Sequence, residues 1–149
     1  MSSELVSNPA PTREQIIRLQ EAMLPQKCEQ PEPTHFFAPG MYLRELTVPA
    51  GMLLVGKTHR HAHFLVVTKG RAEVISEFGR TVVEPGHIAV SQAGVKRVVL
   101  ALEDTQFITV HLSIPPQSET AKRADLCLHW IPAVAAVAFR GFEPRCLAL

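Results

Sequence analysis

Three histidines, His59, His61 and His63, occur at a spacing of two within the stretch GMLLVGKTHRHAHFLVVTKG that runs from Gly51 to Gly70. In an extended strand alternate side chains share a face, so three imidazoles so spaced can point the same way. Such a cluster is either a metal site or a solvated, polar strand edge. His63, Leu65 and Val67 alternate along one face, so if the two aliphatic residues turn into a core, His63 turns with them. Further on, in QFITVHLS, His111 shares a face with Thr109 and Phe107. Antiparallel walls that brought His59, His63 and His111 into one cavity would assemble three neutral imidazoles. These are enough to hold a divalent metal such as Zn, Fe, Ni, Cu or Mn and to leave coordination positions open. A metal with an open position acts as a Lewis acid or generates hydroxide near neutral pH.

Each of these residues also has a plainer reading. His61 reads as solvent-facing or as a spare ligand, His87 as a turn residue after Pro85-Gly86, and His111 as a hydrogen-bonded strand histidine. Lys57 and Arg97 either extend into solvent at the mouth of the fold or point inward. Pointing inward, they would repel a metal and attract an anionic ligand, a carboxylate or a phosphate. Glu45, Glu73 and Glu84 are near enough in the strand pattern to neutralise them as ordinary ion pairs. Nucleophilic catalysis has little support: Ser91 has His87 nearby in sequence but no GxSxG elbow, and the cysteines read as lying outside the strand region. There is no GxGxxG and no phosphate-cradling glycine loop.

The elements that must position these groups are short and β-like. From His35 to Ser113 the chain is a succession of runs, HFF, MYLRELTV, MLLVG, AHFLVVT, RAEVISEF, TVVE, HIAVS, KRVVLAL and QFITVHLS. They are broken by turn residues such as Pro39-Gly40, Lys69-Gly70, Pro85-Gly86 and Ala93-Gly94. With no helix between them these strands cannot form a parallel sheet, and an antiparallel closed or double-sheeted barrel is the economical solution. Ahead of them, Thr12 and Gln15 form a capping-box pattern before the apolar stripe of TREQIIRLQEAML, which predicts one short amphipathic helix ended by Pro25. The first residues read as a loose polar arm and QKCEQPEP as an irregular linker. After Ser113 the strand rhythm stops, in a polar exit followed by an apolar, Ala-rich tail from Ile131 to Leu149 that needs cover on the barrel or on another chain. The expected organisation is an arm, helix and linker over 1–34, an all-β barrel over 35–113 and a C-terminal extension over 114–149.

Composition narrows the function classes. The chain has 149 residues, a formal charge of +1 and 46% hydrophobic residues, which suits one globular domain and offers no basic field for nucleic acid. Three widely spaced cysteines, Cys28, Cys127 and Cys146, fit a reduced intracellular setting better than a disulfide scaffold. No secretory signal is visible at the N-terminus, and IPAVAAVAF is too short to span a bilayer.

With the strands placed, the turn spacing resembles that of the cupin superfamily, whose jelly-roll barrels carry the motifs G-x5-H-x-H-x3,4-E-x6-G and G-x5-P-x-G-x2-H-x3-N. Gly51, Lys57, His59, His63 and Gly70 fall at the spacing of the first motif, and Gly86, Gln92, Gly94, Arg97 and Ala101 at that of the second. The resemblance implies a cupin-like antiparallel barrel over about residues 35 to 113. In that family two histidines, a glutamate and a third histidine hold one metal. Here the corresponding positions are Lys57, His59, His63 and Arg97, so only the second histidine is retained. The phrases APGMYLRE, GKTH, GVKR and ALEDT are also similar to those of short cupin-like proteins encoded by tailed bacteriophages and prophages. That resemblance implies a place in the host cytoplasm or in the virion.

Two functions follow as expectations. One is a binding barrel that uses His59, His63 and His111 for metal, with Lys57 and Arg97 as donors to a ligand. The other is a structural or interaction protein that keeps the barrel without metal. A homo-oligomer, a dimer or larger, is expected through an edge strand, phage structural proteins are candidate partners, and neither nucleic acid nor membrane is expected.

Overall fold

The computed structural model describes residues 9–25 and 30–112 and the backbone of 135–140 and 143–148. The polar arm over 1–8, residues 26–29 of the linker with Cys28, and residues 113–134 with Cys127 lie outside the described residues. The predicted helix is α1 (Arg13–Met23). Its capping box forms as read, with the Gln15 amide donating to Thr12 Oγ1 at 3.2 Å and the Thr12 amide to Gln15 Oε1 at 2.8 Å.

All nine runs between His35 and Ser113 become strands: β1 (Thr34–Ala38), β2 (Met41–Val48), β3 (Met52–Val55), β4 (His63–Lys69), β5 (Ala72–Ser76), β6 (Gly79–Val83), β7 (Ile88–Ser91), β8 (Arg97–Ala101) and β9 (Thr105–Leu112). Two more, β10 (Ala135–Arg140) and β11 (Glu143–Ala148), follow where the sequence pattern announced none. Antiparallel pairing joins the strands into two sheets, ordered β1-β2-β9-β4-β7 and β11-β10-β3-β8-β5-β6. Part of the apolar tail is thus strand, with β10 registered on β3 from Ala135 opposite Val55 to Ala138 opposite Met52. Cys146, expected outside the strand region, lies on β11.

Strand periodicity sorts the side chains between the sheets. Val48 from β2, Met52 and Leu54 from β3, Val67 from β4, Ala72 from β5, Ala101 from β8 and Phe107 from β9 form one buried cluster with Val83. On the outer side of the larger sheet, Ile16 and Met23 of α1 bury against Val55 and Val98, with Leu53 and Ile75 beside them. The Arg13 guanidinium donates to the Gly94 carbonyl and ties the start of the helix to the β7–β8 turn. The outer face of the five-stranded sheet is different. Phe36, Leu43, Val110, Phe64 and Val90 follow one another across its strands in register, an apolar row on the outward face.

Candidate functional site

The same periodicity that builds the core carries polar residues inward at one end of it. In β2, Tyr42 and Arg44 share the face of Leu46 and Val48; in β4, His63 shares that of Leu65 and Val67; in β9, Thr109 and His111 follow Phe107. Between the sheets lies a cavity of about 110 Å3. Its polar lining is Arg44, Lys57, His59, His63, Arg97 and Thr109, and the rest of its wall is mainly aliphatic.

Of this lining, His59 and His63 meet His111, each of the three able to offer one ring nitrogen with these atoms all within 4.8 Å of one another. Ring centroids are 4.5 Å apart for His59 and His63, 4.5 Å for His63 and His111, and 5.2 Å for His59 and His111. Each comes from a different piece of backbone. His63 opens β4, His111 closes β9, and His59 sits in the loop before β4, where its carbonyl accepts the Gly94 amide at 2.9 Å. His111 Nε2 is hydrogen-bonded to Thr109 Oγ1 at 2.9 Å, and the Tyr42 ring stacks on the His111 ring with centroids 5.5 Å apart.

Burial governs the charge state of the cluster. It pushes His59 from the usual 6.5 to about 3, with the neighbouring His63 and His111 and then Arg44 and Arg97 adding to the effect. It pushes His111 to about 3 as well, reinforced by His63 and Arg44. His63 is also lowered, chiefly by burial, although a backbone hydrogen bond at His61 works in the opposite direction. The three imidazoles are consequently neutral at physiological pH, the state in which a histidine can ligate a metal.

Lys57 and Arg97 both reach the cavity. Arg97 donates to the buried Ser91 hydroxyl, and burial lowers its pKa from the ordinary arginine value. Of the acids weighed as their partners, Glu73 pairs instead with Arg80 at 3.1 Å. Ser91 is thereby engaged by Arg97 and has no triad geometry, His87 lies in the turn before β7, and His61 is exposed. Arg44 was not singled out by the sequence reading. Its position two residues after Tyr42 in MYLRELTV was the available signal, because the alternation that faces Leu46 and Val48 inward also faces Arg44 inward.

No protein-family model matches the chain, and no curated protein matches it. Solved structures do. An ectoine synthase from P. lautus superposes with a TM-score of 0.52 over 79% of this chain and 85% of its own, at 14% identity. KdgF from Halomonas sp. gives 0.51 over 64% and 89%, at 18% identity. A cupin-2 domain containing protein from Shewanella frigidimarina gives 0.49 over 58% and 85%, at 12% identity. The fold is a cupin-like barrel. At these identities the likeness carries the fold alone, so the chemistry must be argued from this chain's own residues.

The residues of the cupin-like barrel fit a metal by one specific test. The Nδ1 atoms of His59, His63 and His111 are all buried and all without a hydrogen-bond partner. A buried nitrogen left without a partner costs about 1–3 kcal/mol, so three together in one cluster need an explanation. A cation coordinated through Nδ1 would give these nitrogens the partner they lack, and the tautomer in which His111 Nε2–H donates to Thr109 keeps its Nδ1 lone pair available. Among the described residues this is the one grouping of three or more histidine, cysteine or carboxylate side chains close enough to share an ion.

Proposed function

We propose that the protein is a small-molecule-binding barrel that holds a divalent metal ion on His59, His63 and His111. The observation that carries this reading is the set of three buried, unpartnered Nδ1 atoms on rings whose ligating nitrogens lie within 4.8 Å. An all-imidazole donor set suits Zn, Fe or Ni better than Mn, which prefers carboxylates. Bound there, the metal would supply a Lewis acid with open positions beside the cavity. Lys57 and Arg97 would orient the ligand, Thr109 would hold the His111 ring, and the aliphatic wall would exclude water.

The test is elemental analysis of protein purified without a nickel column, beside His59→Ala and His63→Ala. Near-stoichiometric metal is expected in the parent protein, with each substitution weakening retention roughly a hundredfold or more. A parent protein that contains no metal and cannot be loaded with Zn, Fe or Ni would sink the proposal.

Self-association has its own observation. Phe36, Met41, Phe64, Ile88, Val90 and Leu112 are each half exposed or more. They present apolar surface on the order of 600 Å2, at the upper limit of what a monomer usually leaves bare and close to the ~800 Å2 per partner of a stable interface. The row spans all five strands, and a second copy could present the same row to it across a two-fold axis. These residues support a dimer through this face rather than through an edge strand. Phe64→Lys is expected to convert a sedimenting dimer to a monomer, and a parent protein that is monomeric at tens of micromolar removes the reading. The phage and prophage resemblance of the four phrases favours a virion component or an accessory host-interaction factor as the setting for such an assembly, in the host cytoplasm or the virion. Among the described residues no helix is long and apolar enough to cross a membrane.

A further inference from the structure

We infer that a second cavity, at the side of the barrel between β6 and β7, takes a small aromatic carboxylate, with its ring beside Phe78 and its carboxylate on Arg97. The assignment extends the small-molecule reading above and does not rest on the metal. The first ground is where the cavity lies. It measures about 320 Å3, against about 110 Å3 for the cavity beside the histidines. Val74 and Ser76 of β5 and Thr81 and Val83 of β6 line it from one sheet, Leu65 of β4 and Ala89 of β7 from the other. β6 and β7 each end their sheet and do not pair with one another, so this cavity occupies an open side of the barrel.

The second ground is charge. Leu65, Val74 and Arg97 line both cavities, so the Arg97 side chain stands in the partition between them. No aspartate or glutamate lines either one. Arg97 donates to the Ser91 hydroxyl, a neutral acceptor, which leaves the other N–H groups of its fork for a ligand. A half-buried cation with no carboxylate facing it favours an anion at those donors, and a planar carboxylate matches the fork in two parallel hydrogen bonds. Arg80, the other arginine of the lateral lining, is already paired with Glu73 at 3.1 Å. The place for the anion is therefore at Arg97.

The third ground is the rest of the wall. Leu65, Val74, Val83 and Ala89 make much of it apolar, and Phe78, in the β5–β6 turn, lines it while 78% of that residue stays exposed. An aromatic ring left in water beside a cavity is a stacking surface for a flat ligand. A cavity of about 150 Å3 accommodates benzene, so this one has room for a ring with a short substituent, roughly nine to twelve non-hydrogen atoms. Inorganic phosphate has no apolar part to set against such a wall. The Ser76 hydroxyl accepts from the Phe78 amide at 3.2 Å, which steadies the turn that carries Phe78 and leaves the hydroxyl proton to donate to a polar ring substituent.

The test is calorimetric titration of the full chain, stripped of metal with a chelator, using benzoate, inorganic phosphate and benzyl alcohol as probes. Saturable binding of one benzoate per chain is expected, with phosphate and benzyl alcohol at least about tenfold weaker. Arg97→Gln should weaken benzoate by about ten- to a hundredfold, the usual cost of a charge-assisted hydrogen-bond partner. Phe78→Ala should weaken it by about three- to tenfold through the lost stacking, and at so exposed a position it serves if the arginine variant does not fold. Phosphate binding as tightly as benzoate would overturn the carboxylate assignment in favour of a simple anion site, and equal binding of benzyl alcohol would leave only an apolar cavity. Benzoate binding that Phe78→Ala leaves unchanged would overturn the lateral site, because Phe78 lines that cavity and not the one beside the histidines. No saturable heat with benzoate, in protein whose circular dichroism is native, would overturn the inference outright. Because the sample contains no metal, failure of the metal reading leaves this result untouched, and metal retention with no benzoate binding refutes this inference alone.

Discussion

Gly70→Ala is expected to destabilise the barrel by about 3–5 kcal/mol, while Gly40→Ala costs about 1 kcal/mol, although the two glycines have nearly the same backbone conformation, at φ +75° and +76°. Left-handed backbone alone costs a residue with a Cβ roughly 1–2 kcal/mol, and both substitutions incur that cost. The difference is steric. A Cβ on Gly40 would meet nothing within 4 Å, whereas one on Gly70 would lie 2.1 Å from the Asp104 carbonyl oxygen and 2.7 Å from Thr105 Cα. These are backbone atoms of the turn that leads into β9, and that turn is already held by the Leu102 and Glu103 amides on the Arg71 carbonyl at 2.9 and 3.0 Å. Neither side can yield without breaking the β4–β5 or the β8–β9 connection. Against a typical total stability of about 5–15 kcal/mol, the loss is large. Chemical denaturation of both variants checks it, and equal midpoints would show that the close approach is relieved without cost.

Metal-free protein is expected to lose several kcal/mol of stability as the pH falls from 6.5 toward 4. The sign follows from the direction of the shifts. His59 and His111 titrate near 3 in the folded chain against 6.5 when unfolded, so above 6.5 both states are neutral and pH has no effect through them. Below 6.5 the unfolded chain takes up protons that the folded chain refuses, and stability falls by up to about 1.4 kcal/mol per pH unit for each such histidine, until the folded pKa is reached. Carboxylates contribute to acid unfolding as well, so the informative quantity is the slope relative to a variant. Between pH 6 and 4.5, the double substitution His59→Asn and His111→Gln should flatten the dependence of the denaturation midpoint on pH. Parallel curves for parent and variant would mean that the buried imidazoles are hydrated enough to charge normally.

Much of the architecture was legible in local pattern, because local pattern is what selects a strand, a cap or a turn. Period-two alternation and glycine-proline punctuation marked every strand from β1 to β9, and Thr12 with Gln15 marked the start of the helix. The same alternation indicated that His63 and His111 would face inward with their aliphatic neighbours, and motif spacing pointed to His59. Strands β10 and β11 escaped notice because Ala-rich runs such as AAVAF have weak strand preference of their own, and it is pairing with β3 that makes a strand there.

Contacts between residues far apart in the chain were decided only by the tertiary structure. That His59, His63 and His111 close to within 4.8 Å depends on β4 pairing with β9 in one register, since a slip of one residue would turn His63 outward. Whether Lys57 and Arg97 stayed in solvent or entered the cavity could not follow from alternation, because long cationic side chains can leave either way; Arg97 is committed by Ser91, six residues away and on another sheet. Arg44 joins them from a third segment. Residue types and their periods are properties of a strand taken alone, whereas the sign of the charge in a cavity depends on which strands come to line it.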